Sequence, residues 1–342
     1  MRSNLKQMMR DVAAALLYKS GVTRPDNTAR LSIVTFHRVL PPQELSEYPI
    51  PDIAVTPDEL AWFLEFFGQH FECGTLERMH DRWYSGGSFA KPPLAITFDD
   101  GQLDNYRHAR PVLNRAGVRA SFFVPTEAVT SGNLLWHDRA AYAMSTWLRK
   151  DERSARKLAS ELQLDRFSAR ELPSEFVIRT KSMSEAERLS WIERVESQVV
   201  GYAPPGWDGM MNFEQLTTLV REEHEVGSHS HTHPILTQIP IAEAERELTL
   251  SRSILEQKLG HPVTSLCYPN GDANDAVARA ARAAGYRRAV TTRWGWNPRG
   301  ADPLRLSRCD IQACSSRSRS GKLSAPRLAW RLSGLYPGIA VN

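Results

Sequence analysis

No apolar run in this 342-residue chain reaches the length needed to cross a bilayer, so the sequence offers no transmembrane helix. The amino-terminal run 12–18 is too short for a secretory leader and lacks a clear small-residue cleavage site. Cysteine is scarce. Cys73, Cys267, Cys309 and Cys314 follow no metal or redox spacing and fit a reducing compartment better than a disulfide framework. A cytoplasmic location is expected, with membrane association as the alternative. No internal repeat is visible. Aromatic interleaving of basic residues and any nucleic-acid module are missing, so a nucleic-acid partner is not expected. Acidic residues stop at Asp310 and histidines at His261, while Arg317, Arg319, Lys322, Arg327 and Arg331 follow. Such a tail reads as a solvated basic terminus, with contact to an anionic surface as the other reading.

What remains is the composition of a globular protein, 42% hydrophobic and 24% charged. Residues 1–30 read as a basic helical segment packed on the domain, with a membrane-surface or partner contact as the other reading, residues 31–311 as the main domain, and 312–342 as the basic tail. Strands are predicted at 31–36, 94–98, 118–124, 225–228, 264–268, 288–291 and 304–307 from short apolar runs. Thr56-Pro57-Asp58-Glu59 starts a helix, because threonine caps, proline suits the first turn and glutamate reaches back. Further helices are predicted near 105–116 and from Asn212, with Gln215 three residues on. Alternating strands and helices imply an α/β fold with a mainly parallel sheet, and about seven strands suit a distorted (β/α) barrel. The alternation breaks over 131–209, which reads as a mostly helical insertion at one end of the barrel.

Two clusters at strand ends carry the chemistry. Thr97-Phe98-Asp99-Asp100-Gly101 follows one apolar run, and Gly227-Ser228-His229-Ser230-His231-Thr232-His233-Pro234 follows another. Ligand sites in α/β proteins form where strands end, and two carboxylates with two imidazoles suffice for one divalent ion plus one base. His229 and His233, four apart, would share one face of a helical turn, with His231 turned away. Gly101 permits a turn that brings Asp99 and Asp100 to one cavity.

Together these motifs resemble the polysaccharide deacetylase family, the NodB-homology type of carbohydrate esterase. The resemblance implies a distorted (β/α) barrel and hydrolysis of an N-acetyl group on an amino sugar. It implies Asp99 as general base, with Asp100, His229 and His233 holding one divalent ion, usually Zn2+, Co2+ and Ni2+ being compatible. The usual Arg-Pro-Pro-Tyr-Gly motif is replaced by Cys267-Tyr268-Pro269-Asn270-Gly271, closer to the exopolysaccharide and biofilm-glycan variant. The base-orienting arginine is therefore missing from its place. Tyr268, Pro269, Asn270 and Gly271 make a candidate oxyanion and substrate turn, a plain core turn being the alternative. The late histidine that protonates the leaving amine is also missing. His37, in His37-Arg38-Val39, is its expected replacement, a structural or substrate-contacting histidine being the other reading. Arg308 is expected to pair with Asp99 or a substrate oxygen. Trp136, His137 and Asp138 are expected near the sugar cleft, with core packing as the alternative for Trp136.

The expected partner is an acetylated amino sugar in a glycan, a lipid-linked precursor or a small conjugate. Deformylation or O-deacetylation would use the same site. A glycan-binding protein without catalysis is the competing class, prompted by the altered third motif and the missing histidine.

Overall fold

A computed structural model describes residues 2–23 and 29–335. Residues 1 and 24–28 of the expected amino-terminal segment, and 336–342 of the tail, lie outside the described residues. Ten strands form among the described residues, in chain order: β1 Ser32–Phe36, β2 Arg38–Val39, β3 Ala54–Val55, β4 Glu72–Gly74, β5 Pro93–Phe98, β6 Ser121–Val124, β7 Glu225–Ser228, β8 Ser265–Cys267, β9 Arg288–Trp294 and β10 Leu306–Asp310. Seven of them close a ring in the order β1-β10-β9-β8-β7-β6-β5, and β5 pairs back with β1. Every pairing in the ring is parallel. The distorted (β/α) barrel read from the alternation is the fold, and each predicted strand is one of its seven staves. β4 adds an eighth strand outside the ring, on β5, and β2 and β3 form a separate two-stranded ribbon. These three are two or three residues long, too short for a periodic signal.

Parallel strands need both faces covered. Inside, Ile33, Ala95, Phe123, Val290 and Leu306 pack with Leu76, Met79 and Trp83 of the Leu76–Tyr84 helix, which plugs the end where the strands begin. Arg288, at the start of β9, bonds Glu77 and Asp81 of that helix and fixes it there. Outside, the larger core lies between the strands and helices such as Pro57–His70 and Ile241–Leu259. The Pro57–His70 helix starts with the expected reciprocal cap between Thr56 and Glu59, and Phe213–Arg221 with the same device between Asn212 and Gln215. The predicted 105–116 helix begins as one π-helical turn, Asn105–Ala109, before the regular Arg110–Arg115.

Between β6 and β7 the chain adds the helices Trp136–Lys150, Glu152–Glu161, Leu172–Lys181 and Glu185–Glu196. They enclose a second apolar cluster that includes Met144, Leu158, Phe176 and Ile192 and takes in Leu40, Tyr48 and Ile50 from the barrel side. A buried ionic network lies under this junction. Arg38 Nε is 2.6 Å from Asp104, its Nη2 is 2.6 Å from Asp208, and its Nη1 is 3.6 Å from Asp138. Tyr48 donates to Asp138 and Tyr142 donates to Asp208, each at 2.7 Å.

The basic tail is solvated only in part: Arg317, Arg319 and Lys322 are exposed, but residues 323–334 after them are not. Ala325–Leu332 is a helix whose Arg327, Leu328 and Trp330 are buried, and it packs against the amino-terminal helix Arg2–Lys19.

Candidate metal centre and its cleft

β5 and β7 end beside each other but for β6, and each delivers its cluster to the same mouth of the barrel. Asp99 N–H still donates to Phe36 C=O at 3.1 Å, extending the strand ladder by one residue. Asp100 and Gly101 then both take left-handed backbone conformations, at φ 73° and 69°. Gly101 tolerates this without cost, and aspartate is among the few other residues that do. The turn swings both carboxylates into one cavity, where both are buried.

The histidines arrive differently from the sequence expectation. Residues 230–233 are not helical: Ser230 and His233 both sit at φ 64°. The four-residue spacing works through a tight loop instead. Glu247 holds that loop from the neighbouring helix, accepting the N–H groups of His231 and Thr232 at 2.8 Å each and the Thr232 hydroxyl at 2.7 Å. No sequence signal marked Glu247, because its role depends on the packing of two distant segments. His231 points away, its Nδ1 2.8 Å from the Thr126 hydroxyl.

The result is a triangle of donor atoms. His229 Nε2 and His233 Nε2 are 3.2 Å apart, and Asp100 Oδ1 is 3.4 Å from each. Three donors bound about 2.0–2.1 Å from one tetrahedral ion stand about 3.3 Å from each other, so this set fits a divalent cation of zinc size. His229 Nδ1 lies 2.7 Å from the Cys267 carbonyl, which fixes the tautomer that leaves Nε2 free to ligate. Burial would raise the Asp100 carboxyl, yet hydrogen bonds from His137, His229 and His233 hold it well below its usual range. Burial pushes His233 down to about 4, keeping it neutral. For His229, Cys267 and Asp100 outweigh burial and hold the imidazole above its usual value, so an ion binding at Nε2 would displace a proton there.

Asp99, His229 and Cys267 also offer donor atoms within 4.8 Å of one another. That set is the poorer ion site. Burial pushes the Cys267 thiol up, and a protonated thiol ligates weakly. Both Asp99 oxygens are already taken by Arg308, whose Nη1 and Nη2 donate at 2.8 and 2.7 Å. Arg308 spends its remaining donors on Thr35, Thr97, the Thr291 carbonyl and the Cys267 sulfur, so it is a fixed buried fork. Burial alone would raise Asp99, but Arg308 outweighs it and holds the carboxyl below its usual range. An arginine thus meets Asp99 from β10 while Cys267 stands at the motif position on β8.

Around these groups lies a cleft of about 320 Å³. His37 lines it, 24% exposed, with Nε2 3.8 Å from Asp99 Oδ2. Trp136 lines it half-buried, under the Arg188 guanidinium. The Leu172–Lys181 helix of the insertion forms one wall with Glu175, Ile178 and Lys181. Lys181 makes no ion pair among the described residues, and burial lowers its ammonium pKa.

Two expectations need correction. Asp138 is fully buried and does not face the cleft: it accepts from Tyr48 and from Gln102, and belongs to the Arg38 network. Its neighbour His137 is the group that approaches the triangle, 3.5 Å from Asp100 Oδ2. Tyr268 lines the cleft with Asn270 and Gly271, but its side chain is buried in the core, its hydroxyl donating to the Leu304 carbonyl at 3.0 Å. Pro269 is buried beside it. Within the turn, Tyr268 N–H donates to Val290 and Gly271 N–H to Tyr268, while Pro269 has no N–H. Asn270, at φ 59°, is left as the turn's candidate donor on the cleft.

Comparison with known proteins agrees with this geometry. Residues 86–161 and 177–289 match the polysaccharide deacetylase family. A 64-residue stretch is 36% identical to the peptidoglycan-N-acetylmuramic acid deacetylase PdaC of Bacillus subtilis, covering 19% of this chain and 14% of that protein. The Streptococcus pyogenes deacetylase PplD shares the fold with a TM-score of 0.57 at 17% identity, over 86% of this chain and 97% of that one. IcaB from Ammonifex degensii gives 0.57 at 18% identity, over 90% and 99%. With the family match spanning more than half the chain and the acidic and histidine clusters meeting at one barrel mouth, this protein belongs to the polysaccharide deacetylase family.

Proposed function

We propose that this protein removes N-acetyl groups from an amino sugar carried in a glycan, a glycolipid precursor or a small conjugate, as a metal-dependent hydrolase of the exopolysaccharide type. The observation that carries the reading is the Asp100–His229–His233 triangle beside an Asp99 pinned by Arg308 in one cleft. A relative named for deacetylating peptidoglycan N-acetylmuramic acid supports an N-acetylated amino sugar as the substrate class. The motifs His37-Arg38-Val39 and Tyr268-Pro269-Asn270-Gly271 support the exopolysaccharide type.

Asp100, His229 and His233 would hold the ion, with Zn2+ the best match to two imidazoles and a carboxylate, and Co2+ or Ni2+ compatible with the same donors. When bound, the ion polarises the acetyl carbonyl and acidifies a water enough for a base as weak as Asp99. Asp99, held ionised and oriented by Arg308, takes the proton of the attacking water. The Asn270 N–H donates to the oxygen that gains charge as the carbonyl carbon becomes tetrahedral. His37 gives a proton to the nitrogen as the C–N bond breaks, leaving acetate and a free amine. Trp136 offers an aromatic face to the sugar ring, and Glu175 and Lys181 set what stands beside it.

The test pairs elemental analysis with acetate release from N-acetylglucosamine oligomers. About one ion per chain is expected in wild type and Asp99→Asn, and none in Asp100→Ala or His229→Ala. Acetate release should fall by about 10³ or more in all three variants. Folded wild type that takes up no ion from added Zn2+, or Asp99→Asn at wild-type rate, would overturn the reading. Parallel assays on N-formyl and O-acetyl sugars fix the acyl group. His37→Ala at wild-type rate would remove histidine from the acid role.

A further inference from the structure

The amino-terminal helix Arg2–Lys19 has two faces of opposite character. One grips the domain. Ala14 is fully buried, the Tyr18 hydroxyl lies 3.3 Å from His70, and Asp11 pairs with Arg327 at 3.3 Å while accepting the Arg319 N–H at 2.9 Å. The other face carries Met8, Val12, Leu16 and Lys19 at steps of four, four and three residues, which is one stripe of a helix. Met9 stands beside it. Met9 and Leu16 are each 64% exposed and Val12 is 54% exposed. Twelve large apolar side chains are strongly exposed among the described residues, and five of them (Met8, Met9, Val12, Leu16 and Val22) lie within the first 22 positions. An apolar stripe on a helix already anchored by its other side is not explained by packing among the described residues.

Charge identifies what covers it. Residues 1–22 and 311–342 together hold nine lysines and arginines against one acidic residue, whereas the whole chain is only +4, so the rest of the molecule is net acidic. The single acid, Asp11, is the one neutralised by Arg327. Lys19, Arg319 and Lys322 are exposed and form no ion pair among the described residues. A second copy is a poor occupant, since a two-fold contact would set these basic segments against each other. Apolar side chains bordered by unpaired cations match an anionic lipid surface, where the former enter the head-group boundary and each nearby cation adds about 1 kcal/mol.

We infer that the exposed face of the Arg2–Lys19 helix, with the basic segment around Arg319 and Lys322, docks this protein on anionic membranes. The surface adjoins the catalytic mouth through the chain itself: Gln312 lines the cleft, and Arg317 pairs with Glu59 at the start of the Pro57–His70 helix. The inference stands apart from the acyl chemistry, because it reads a surface and not the metal centre.

Sedimentation of the full chain with vesicles tests it. About tenfold more protein should pellet with phosphatidylcholine containing phosphatidylglycerol than with phosphatidylcholine alone, and high salt should remove most of that gain. Val12→Asp with Leu16→Asp should abolish pelleting, as should Lys19→Glu with Lys322→Glu. All these positions are exposed, so the thermal melt, the metal content and acetate release from a soluble oligomer should match wild type. Equal binding to neutral and anionic vesicles, or none to either, overturns the inference. So does a wild-type dimer that the Val12→Asp, Leu16→Asp variant converts to monomer, which would make the occupant a second copy.

Discussion

Asp99 and Arg308 meet through two parallel hydrogen bonds, a geometry that lysine cannot reproduce. The sign of the effect on pH follows from the burial of both. Asp99 has its carboxyl depressed by Arg308, so its ionised form is favoured above the ordinary carboxylate range and lost only as pH falls through the depressed value. Arg308→Met leaves burial opposed only by the lesser pull of His37 and His229, which lifts the carboxyl and favours the protonated base at the acid end of the range. The acid limb of the kcat profile should then move to higher pH, with activity partly recovered as pH rises. Arg308→Lys should hold the limb nearer wild type while losing about 10²-fold in kcat through misorientation. A pH–rate series on the three proteins checks this, and superimposable profiles would dismiss Arg308 as a positioning residue.

At the scale of elements, the position of His229 rests on a glycine. A Cβ on Gly227 would meet the Phe123 ring at 2.6 Å and the Ser265 carbonyl at 3.1 Å, so β7 can lie this close to its neighbours only without a side chain there. Gly227→Ala should cost about 1–3 kcal/mol in a denaturant melt and weaken metal retention, because β7 must shift just before it delivers the histidines. The seven ring strands were legible because buried parallel strands read as apolar runs, and the caps at Thr56 and Asn212 because their chemistry is local. The His229–His233 loop was not. Spacing of four suggested a helical turn, and nothing in Ser230 or His233 announced left-handed backbone. Asp138 was misplaced for a related reason: its partners Arg38, Tyr48 and Gln102 come from separate segments that only the fold assembles.

For the whole molecule, the Arg38 network is what joins barrel and insertion. One guanidinium faces three buried aspartates from two sides of the junction, and Asp208 is pushed above its usual value by burial. Buried ion sets contribute little net stability while complete, but losing one member strands the others without compensation. Arg38→Met should therefore cost about 3–5 kcal/mol in a urea melt. It should also raise KM, since the cleft wall belongs to the insertion. A melt like wild type would mean that the apolar cluster alone holds the two parts together.

Ring closure also has a temporal side. β1 is made early but is held between β5 and β10, and Arg308 of β10 bonds Thr35 of β1 as well as Thr97 and Asp99 on the β5 side. At roughly 5–20 residues per second, a ribosome releases the carboxylate of Asp99 well before it makes the guanidinium that arms it. A nascent or prematurely terminated chain lacking β10 has an unclosed ring and lacks the arginine that orients Asp99, although the three candidate metal ligands precede it in the sequence. Orientation of the proposed base is thereby tied to synthesis of the last ring strand.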